Sequence, residues 1–197
     1  MCISITNGSD LGSLLSGIGT ILLVIAGFIG INNWKTIKAK EQKNEVAVQS
    51  LANIFKFLDN IQTVCAPFIH VSEYYIIPAE ILDGTPLESL APKEKSRLEL
   101  VTAYSNRIKN INDSIKNIYL TNVQLECIFD EKEIAEFIDA ILKYWNDRYK
   151  AIYILTRYTP DEQTEKMRDD VSPPNLENDI KEFKNRAKVI FKKHIIR

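Results

Sequence analysis

The sequence predicts an all-α protein: one N-terminal transmembrane helix followed by an antiparallel bundle of about four helices. Three observations predict it. Leu11 to Ile31 is a run of 21 residues without a charge. Six of the seven glycines fall within the first 30 residues, which leaves Gly84 alone in the remainder. From residue 35 onward apolar residues recur at helical spacing, and no stretch keeps the period of two with hairpin turns that a sheet needs. The overall balance is ordinary for a folded chain: 197 residues, 45% hydrophobic, 25 basic against 26 acidic side chains and a net charge of -1. That balance excludes a disordered chain, a collagen-like repeat, a disulfide-stapled mini-protein and a uniformly basic coat for nucleic acid.

In the charge-free run 13 residues are apolar and the other eight are Gly, Ser or Thr. At ~1.5 Å per residue the run spans ~31 Å, close to the ~30 Å hydrocarbon core of a bilayer. Trp34, Lys35 and Lys38 follow as an interfacial anchor. A cleaved signal peptide is the main alternative, but no Lys or Arg precedes the run, which is longer than an ordinary signal core. Lys35, Lys38, Lys40 and Lys43 lie on the C-terminal side, so the positive-inside rule puts the N-terminus outside. The expected division is a membrane anchor over residues 1–34 and a cytoplasmic bundle over residues 35–197, in an inner (cytoplasmic) membrane. Gly8/Gly12, Ser13/Gly17, Ser16/Thr20 and Ala26/Gly30 are small-xxx-small pairs, which let helix backbones approach in lipid. Ser13, Ser16, Gly17, Thr20, Ala26, Gly27 and Gly30 are therefore the candidate self-association residues. The plainer explanation is that glycine is frequent in transmembrane helices.

The first bundle helix continues out of the span, with Val48, Leu51, Ile54, Phe55, Leu58, Ile61 and Cys65 on one face and Pro67 as its stop. Residues 68–92 are broken by Pro78, Gly84, Pro86 and Pro92, with Tyr74–Ile77 as a short apolar plug. Lys93 to about Phe129 carries a heptad seam of Val101, Tyr104, Ile108, Ile111, Ile115, Ile118, Asn122 and Leu125. Asn122 is its polar break and a candidate register-setting residue. The seam suits a helix within the bundle better than a coiled-coil dimer, because the next helix offers a partner. That helix starts on a capping-box-like Asp130/Glu133 pair, carries Ile134, Phe137, Ile138, Ile141, Leu142, Trp145, Tyr149 and Ile152 on its apolar face, and closes at Thr159-Pro160. Residues 160–178 form an acidic linker containing Pro173-Pro174. A last amphipathic helix over about 176–196 buries Ile180, Phe183, Ala187 and Ile190.

Chemical motifs are sparse. His70 and His194 have no Glu or His three or four residues away, and Cys2, Cys65 and Cys127 show no CxxC spacing, so no metal ligand set is expected. The glycines at 12, 17 and 19 mimic nucleotide-loop spacings but lie inside the span and lack the Lys-Ser/Thr that would follow. Glu131, Glu133, Glu136 and Asp139 suit a helix start in solvent. No cofactor, metal or catalytic residue is expected. Arg186 and His194 supply the enzymatic alternative, a membrane-tethered ribonuclease-like helical protein. Helical HEPN ribonucleases place such a pair closer together than the seven residues that intervene here.

The last helix has seven bases against two acids between Asp179 and Arg197. Lys184, Arg186, Lys188, Lys192 and Lys193 form its basic surface, either simply solvated or resting on anionic lipid. A third reading, a nucleic-acid binding module, is the least favoured, because no aromatic platform accompanies the charges.

Asn33-Trp34-Lys35, Glu45-Val46-Ala47, Leu51, Asp59-Asn60-Ile61, Ala66-Pro67-Phe68 and Glu73 together carry a resemblance. This stretch, residues 33–73, resembles an uncharacterised group of small bacterial proteins with one N-terminal span and a cytoplasmic helical domain. Their pattern is a Trp-Lys/Arg junction and an amphipathic helix that ends in Asn-Pro-Phe or Ser-Pro-Phe; here Ala66 replaces the polar residue. The resemblance implies the topology and a bacterial source, and supplies no catalytic residue. The expectation is a membrane protein that acts through assembly: lipid around the span, a second copy through it, and a protein partner for the bundle. By analogy it fits a defence or toxin-type membrane effector.

Overall fold

The computed structural model describes residues 8–67, 73, 89–129, 132–158 and 162–195. It is all-α, with no strand among the described residues. Five helices follow in order: α1 (Gly8–Val64), α2 (Pro92–Phe129), α3 (Lys132–Leu155), α4 (Glu165–Val171) and α5 (Leu176–Lys192). The chain divides into two compact units, Met1–Asn44 and Glu45–Arg197, and the division falls inside α1.

In the first unit α1 is long and apolar enough to cross a membrane, and none of its apolar window is buried by protein. Ile21, Leu22, Leu23, Val24, Ile25, Phe28, Ile29 and Ile31 are all at least half exposed. The hydroxyls of Thr20 and Thr36 donate back to the carbonyls of Ser16 and Asn32, each at 2.9 Å. Such back-bonding satisfies each hydroxyl within the helix itself.

The second unit is a bundle of α1 (from Glu45), α2, α3 and α5, with α4 as a short addition. α1 contributes Ala47, Ser50, Ile54, Phe57, Ile61 and Val64, spaced three and four apart, with Leu58 and Cys65 alongside. It ends where Pro67 forbids another turn, and the last backbone bonds run from Cys65 N to the Ile61 carbonyl and from Ala66 N to that of Thr63. α2 runs antiparallel to α1, since Asn53 meets Thr121 and Asn60 meets Ser114. α5 is antiparallel to α3, with Tyr144 against Asp179 and Phe137 near Arg186. Phe57 and Trp145 meet edge-on at 6.3 Å in the centre. Phe57, Phe137 and Phe191 are the largest fully buried side chains, one each from α1, α3 and α5.

Three local expectations change. Val48, placed on the apolar face of α1 by its period, is 48% exposed, while Ala47, Ser50 and Phe57 are buried. The expected face keeps Ile54, Leu58, Ile61 and Cys65 buried and widens to take in Ala47, Ser50, Phe57 and Val64, because α1 faces two neighbours, α2 through Asn53 and Asn60 and α5 through Phe55 and Asp59. Tyr149 is likewise 45% exposed. Residues 160–178, expected as a linker, contain α4. Thr164 caps it by accepting from Met167 N, its Val171 is buried, and Pro173-Pro174 stop it just past Ser172. The Tyr74–Ile77 plug, His70, Pro78, Gly84, Pro86, Asp130 and Thr159-Pro160 lie outside the described residues.

Phe57→Ala is expected to destabilise the bundle by about 3–5 kcal/mol, because it opens a cavity where helices meet. Val48→Ala is expected to stay within about 0.5 kcal/mol. Urea unfolding of the full chain in detergent, followed by helical circular dichroism, measures both.

Candidate functional site

Three regions carry polar chemistry. The first is the seam between α1 and α2. Asn53 Nδ2 donates to Thr121 Oγ1 at 3.0 Å, and Asn60 Nδ2 donates to Ser114 Oγ at 2.6 Å. One heptad further along, Arg107 donates through one guanidinium nitrogen to the carbonyls of Val64 (3.2 Å) and Ala66 (2.9 Å), which end α1. Its other nitrogens grip the Glu73 carboxylate in a two-point pair at 2.5 and 2.9 Å. Arg107 is 7% exposed and Ser114 and Thr121 are almost wholly buried. The rungs repeat every seven residues along α2, at 107, 114 and 121, and meet Asn53, Asn60 and the end of α1 in turn, so each fixes the register that the others need. Arg107 also answers two carbonyls that the helix end leaves open.

The second region is a cleft of about 430 Å³ between α3 and α5, lined by Ala140, Tyr144, Asp179, Glu182, Phe183 and Arg186. Tyr144 Oη donates to Asp179 Oδ2 at 3.1 Å, and its ring meets Phe183 edge-on. Burial first, and then the Asp179 carboxylate, hold the Tyr144 hydroxyl well above its ordinary range, so it stays a neutral donor. The cleft presents two carboxylates, one guanidinium and aromatic walls.

The third is the basic face of α5. Lys184 pairs with Asp59, and Lys184 and Lys188 lie 5.9 and 5.7 Å from the Phe55 ring. Arg186 lies 5.4 Å over Phe137, and Lys193 pairs with Glu133 at 3.4 Å. Four of the five predicted surface bases thus have protein neighbours on α1 or α3, while Lys192 is simply exposed. The His194 ring lies tilted against Phe129 at 4.3 Å, so Arg186 and His194 face different aromatic neighbours.

The predicted self-association residues Ser16, Gly17, Thr20, Ala26, Gly27 and Gly30 are exposed on α1, and the Ser13 side chain lies outside the described residues. A Cβ at Gly17, Gly27 or Gly30 would meet nothing within 4 Å. Trp34 is 59% exposed, Lys35 is exposed, and Lys38 pairs with Glu41 at 2.7 Å. No group of three His, Cys, Asp or Glu with metal-binding geometry occurs among the described residues.

Sequence reading missed the seam. It assigned register to Asn122, whose side chain instead donates to Glu126 on its own helix. Val101, Ile108, Ile115 and Asn122 are half-buried, and Arg107, Ser114 and Thr121 take the inner line beside Tyr104, Ile111, Ile118 and Leu125. The missed signal is the matched seven-residue spacing of Asn53/Asn60 and of Arg107/Ser114/Thr121.

No protein-family model matches this chain, and no curated protein or solved structure matches it.

Arg107→Ala is expected to cost about 3–5 kcal/mol in urea unfolding, because it strands a carboxylate and two carbonyls; Arg107→Lys restores only part, since an ammonium cannot reproduce the fork. A second expectation concerns Cys65, whose thiol burial pushes up from 9.0 to about 12, against the opposing pull of Arg148 and Arg107. The unfolded thiol ionises first, so this contribution to stability is complete below 9.0 and fades as pH rises toward about 12. Unfolding midpoints across that window should fall less steeply in Cys65→Ala.

Proposed function

We propose that this protein is a single-span, membrane-anchored helical protein that acts by assembly and partner interaction. One observation carries the reading: a charge-free apolar stretch of α1, exposed all round, precedes a bundle that has a complete core of its own. Ten large apolar side chains between Ile21 and Ile37 are at least 50% exposed. In water such a band would drive association or aggregation. In lipid it needs no cover, and the band passes into Trp34 and Lys35, residue types that favour the interface.

The lysines at 35, 38, 40 and 43 support an orientation with the bundle in the cytoplasm and the N-terminus outside, which in a bacterial cell means the inner membrane. The open Cβ positions at Gly17, Gly27 and Gly30 support close approach of a second helix, which any larger side chain there would obstruct. On this reading the span gathers copies, and the bundle presents its surface to a cytoplasmic partner.

The test is mild-detergent extraction of the full chain from carbonate-washed membranes, followed by its mass with detergent subtracted. The expected result is a defined oligomer that becomes a monomer in Gly17→Leu or Gly27→Leu. A chain released by carbonate would overturn the anchor, and a wild-type monomer would overturn assembly through the span.

A further inference from the structure

We infer that the outward face of α2 formed by Tyr119, Leu120, Val123 and Cys127 is the contact through which a second copy of this chain pairs with the first while both are held in one membrane. The inference rests on the membrane-anchored assembly proposed above and names a surface that the span does not supply.

The core line of α2 runs through Ile118, Thr121 and Leu125. Leu120, Val123 and Cys127 fall on the opposite side of the helix, with Tyr119 beside them. Tyr119, Leu120 and Val123 are 53%, 63% and 58% exposed, and the Cys127 thiol is exposed as well. On a bundle helix this outer side is ordinarily polar. The bundle does not use these side chains; its core is closed by the inner line and by the three rungs to α1.

The occupant follows from charge and from area. No residue from Asn117 to Leu125 carries a charge, and Lys116 and Glu126 bound the stretch. A neutral apolar face offers nothing to a nucleic acid, an anionic lipid surface or an acidic peptide. Lys116, exposed one turn before Leu120, is the cation that borders it on that side, and no charge lies between Leu120 and Val123 to repel a second copy in an isologous contact. From the exposures, the four side chains present about 400 Å² per copy, or roughly 800 Å² for a pair. Stable free complexes begin near 1,200 Å². The patch is therefore too small to hold two freely diffusing chains together. It is sufficient for chains already concentrated by a shared membrane, where pairing becomes effectively intramolecular.

Cys127 reports the contact. Cys65 is buried with a strongly raised thiol and does not compete, and Cys2→Ser removes the remaining thiol. Full chain carrying Cys2→Ser is treated in membrane vesicles with a flexible bismaleimide. The expected product is a covalent dimer, absent in Cys127→Ser. It should fall about tenfold in Leu120→Lys with Val123→Lys, and similarly when the protein is diluted to one chain per detergent micelle. Both substituted positions are exposed, and helical circular dichroism confirms that the variant is folded.

Chain in the membrane fraction that gives no Cys127 dimer overturns the α2 contact alone, including the case in which lipid covers that face. A dimer that survives Leu120→Lys with Val123→Lys overturns it too. Chain recovered in the soluble fraction overturns the anchor and the contact together.

Discussion

The bundle depends on a buried guanidinium. Arg107 is almost wholly enclosed and must find partners for a fork of donors. It finds them in the two carbonyls that close α1 and in the carboxylate of Glu73. Those partners are 34 to 43 residues away in sequence, so satisfying Arg107 brings the end of α1, residue 73 and the first half of α2 to one point. A shift of α2 by one turn would strand the charge, and with it the Asn60–Ser114 and Asn53–Thr121 bonds. Apolar packing between helices tolerates sliding far better than this seam does. The seam therefore supplies specificity of register, and the buried apolar core, mostly Ile and Leu around Phe57 and Trp145, supplies the driving force.

The same argument explains how α5 is placed. Its apolar line is short, from Leu176 to Phe191, and its remaining surface is mostly charged. Lys184 and Lys188 lie along Phe55 with Lys184 on Asp59, Arg186 covers Phe137, and Lys193 reaches Glu133. Exposed pairs of this kind contribute little energy each. Their aliphatic stems and cationic heads cover aromatic edges that would otherwise meet water. Lys184 is half-buried, while Arg186, Lys188 and Lys193 touch neighbouring rings or acids and stay exposed.

Much of the fold was legible because the signals are local. Twenty-one residues without a charge can be counted, and a single glycine after residue 30 with sustained helical spacing excludes a sheet. Pro67 marks the end of α1. The candidate sites were less legible. The cleft beside Tyr144 needs Ala140 on one helix to lie opposite Asp179 and Phe183 on another, which no spacing within one segment reveals. Helix α4 was hidden because seven residues with one buried valine make too little pattern to distinguish from a linker.

What the sequence by itself determined is the helical class, the long apolar segment and the approximate limits of the main helices. Each is set by interactions within a few residues of the chain, where composition and period suffice. What only the tertiary structure decided is which of two neighbouring stripes on α2 faces inward. By hydrophobicity Val101, Ile108 and Ile115 were the better choice, yet Arg107, Ser114 and Thr121 hold the inner line. The reason is physical: a polar side chain is costly to bury only when it lacks a partner. Its partners here, Asn53, Asn60 and the end of α1, come from a distant helix that folding alone brings beside it.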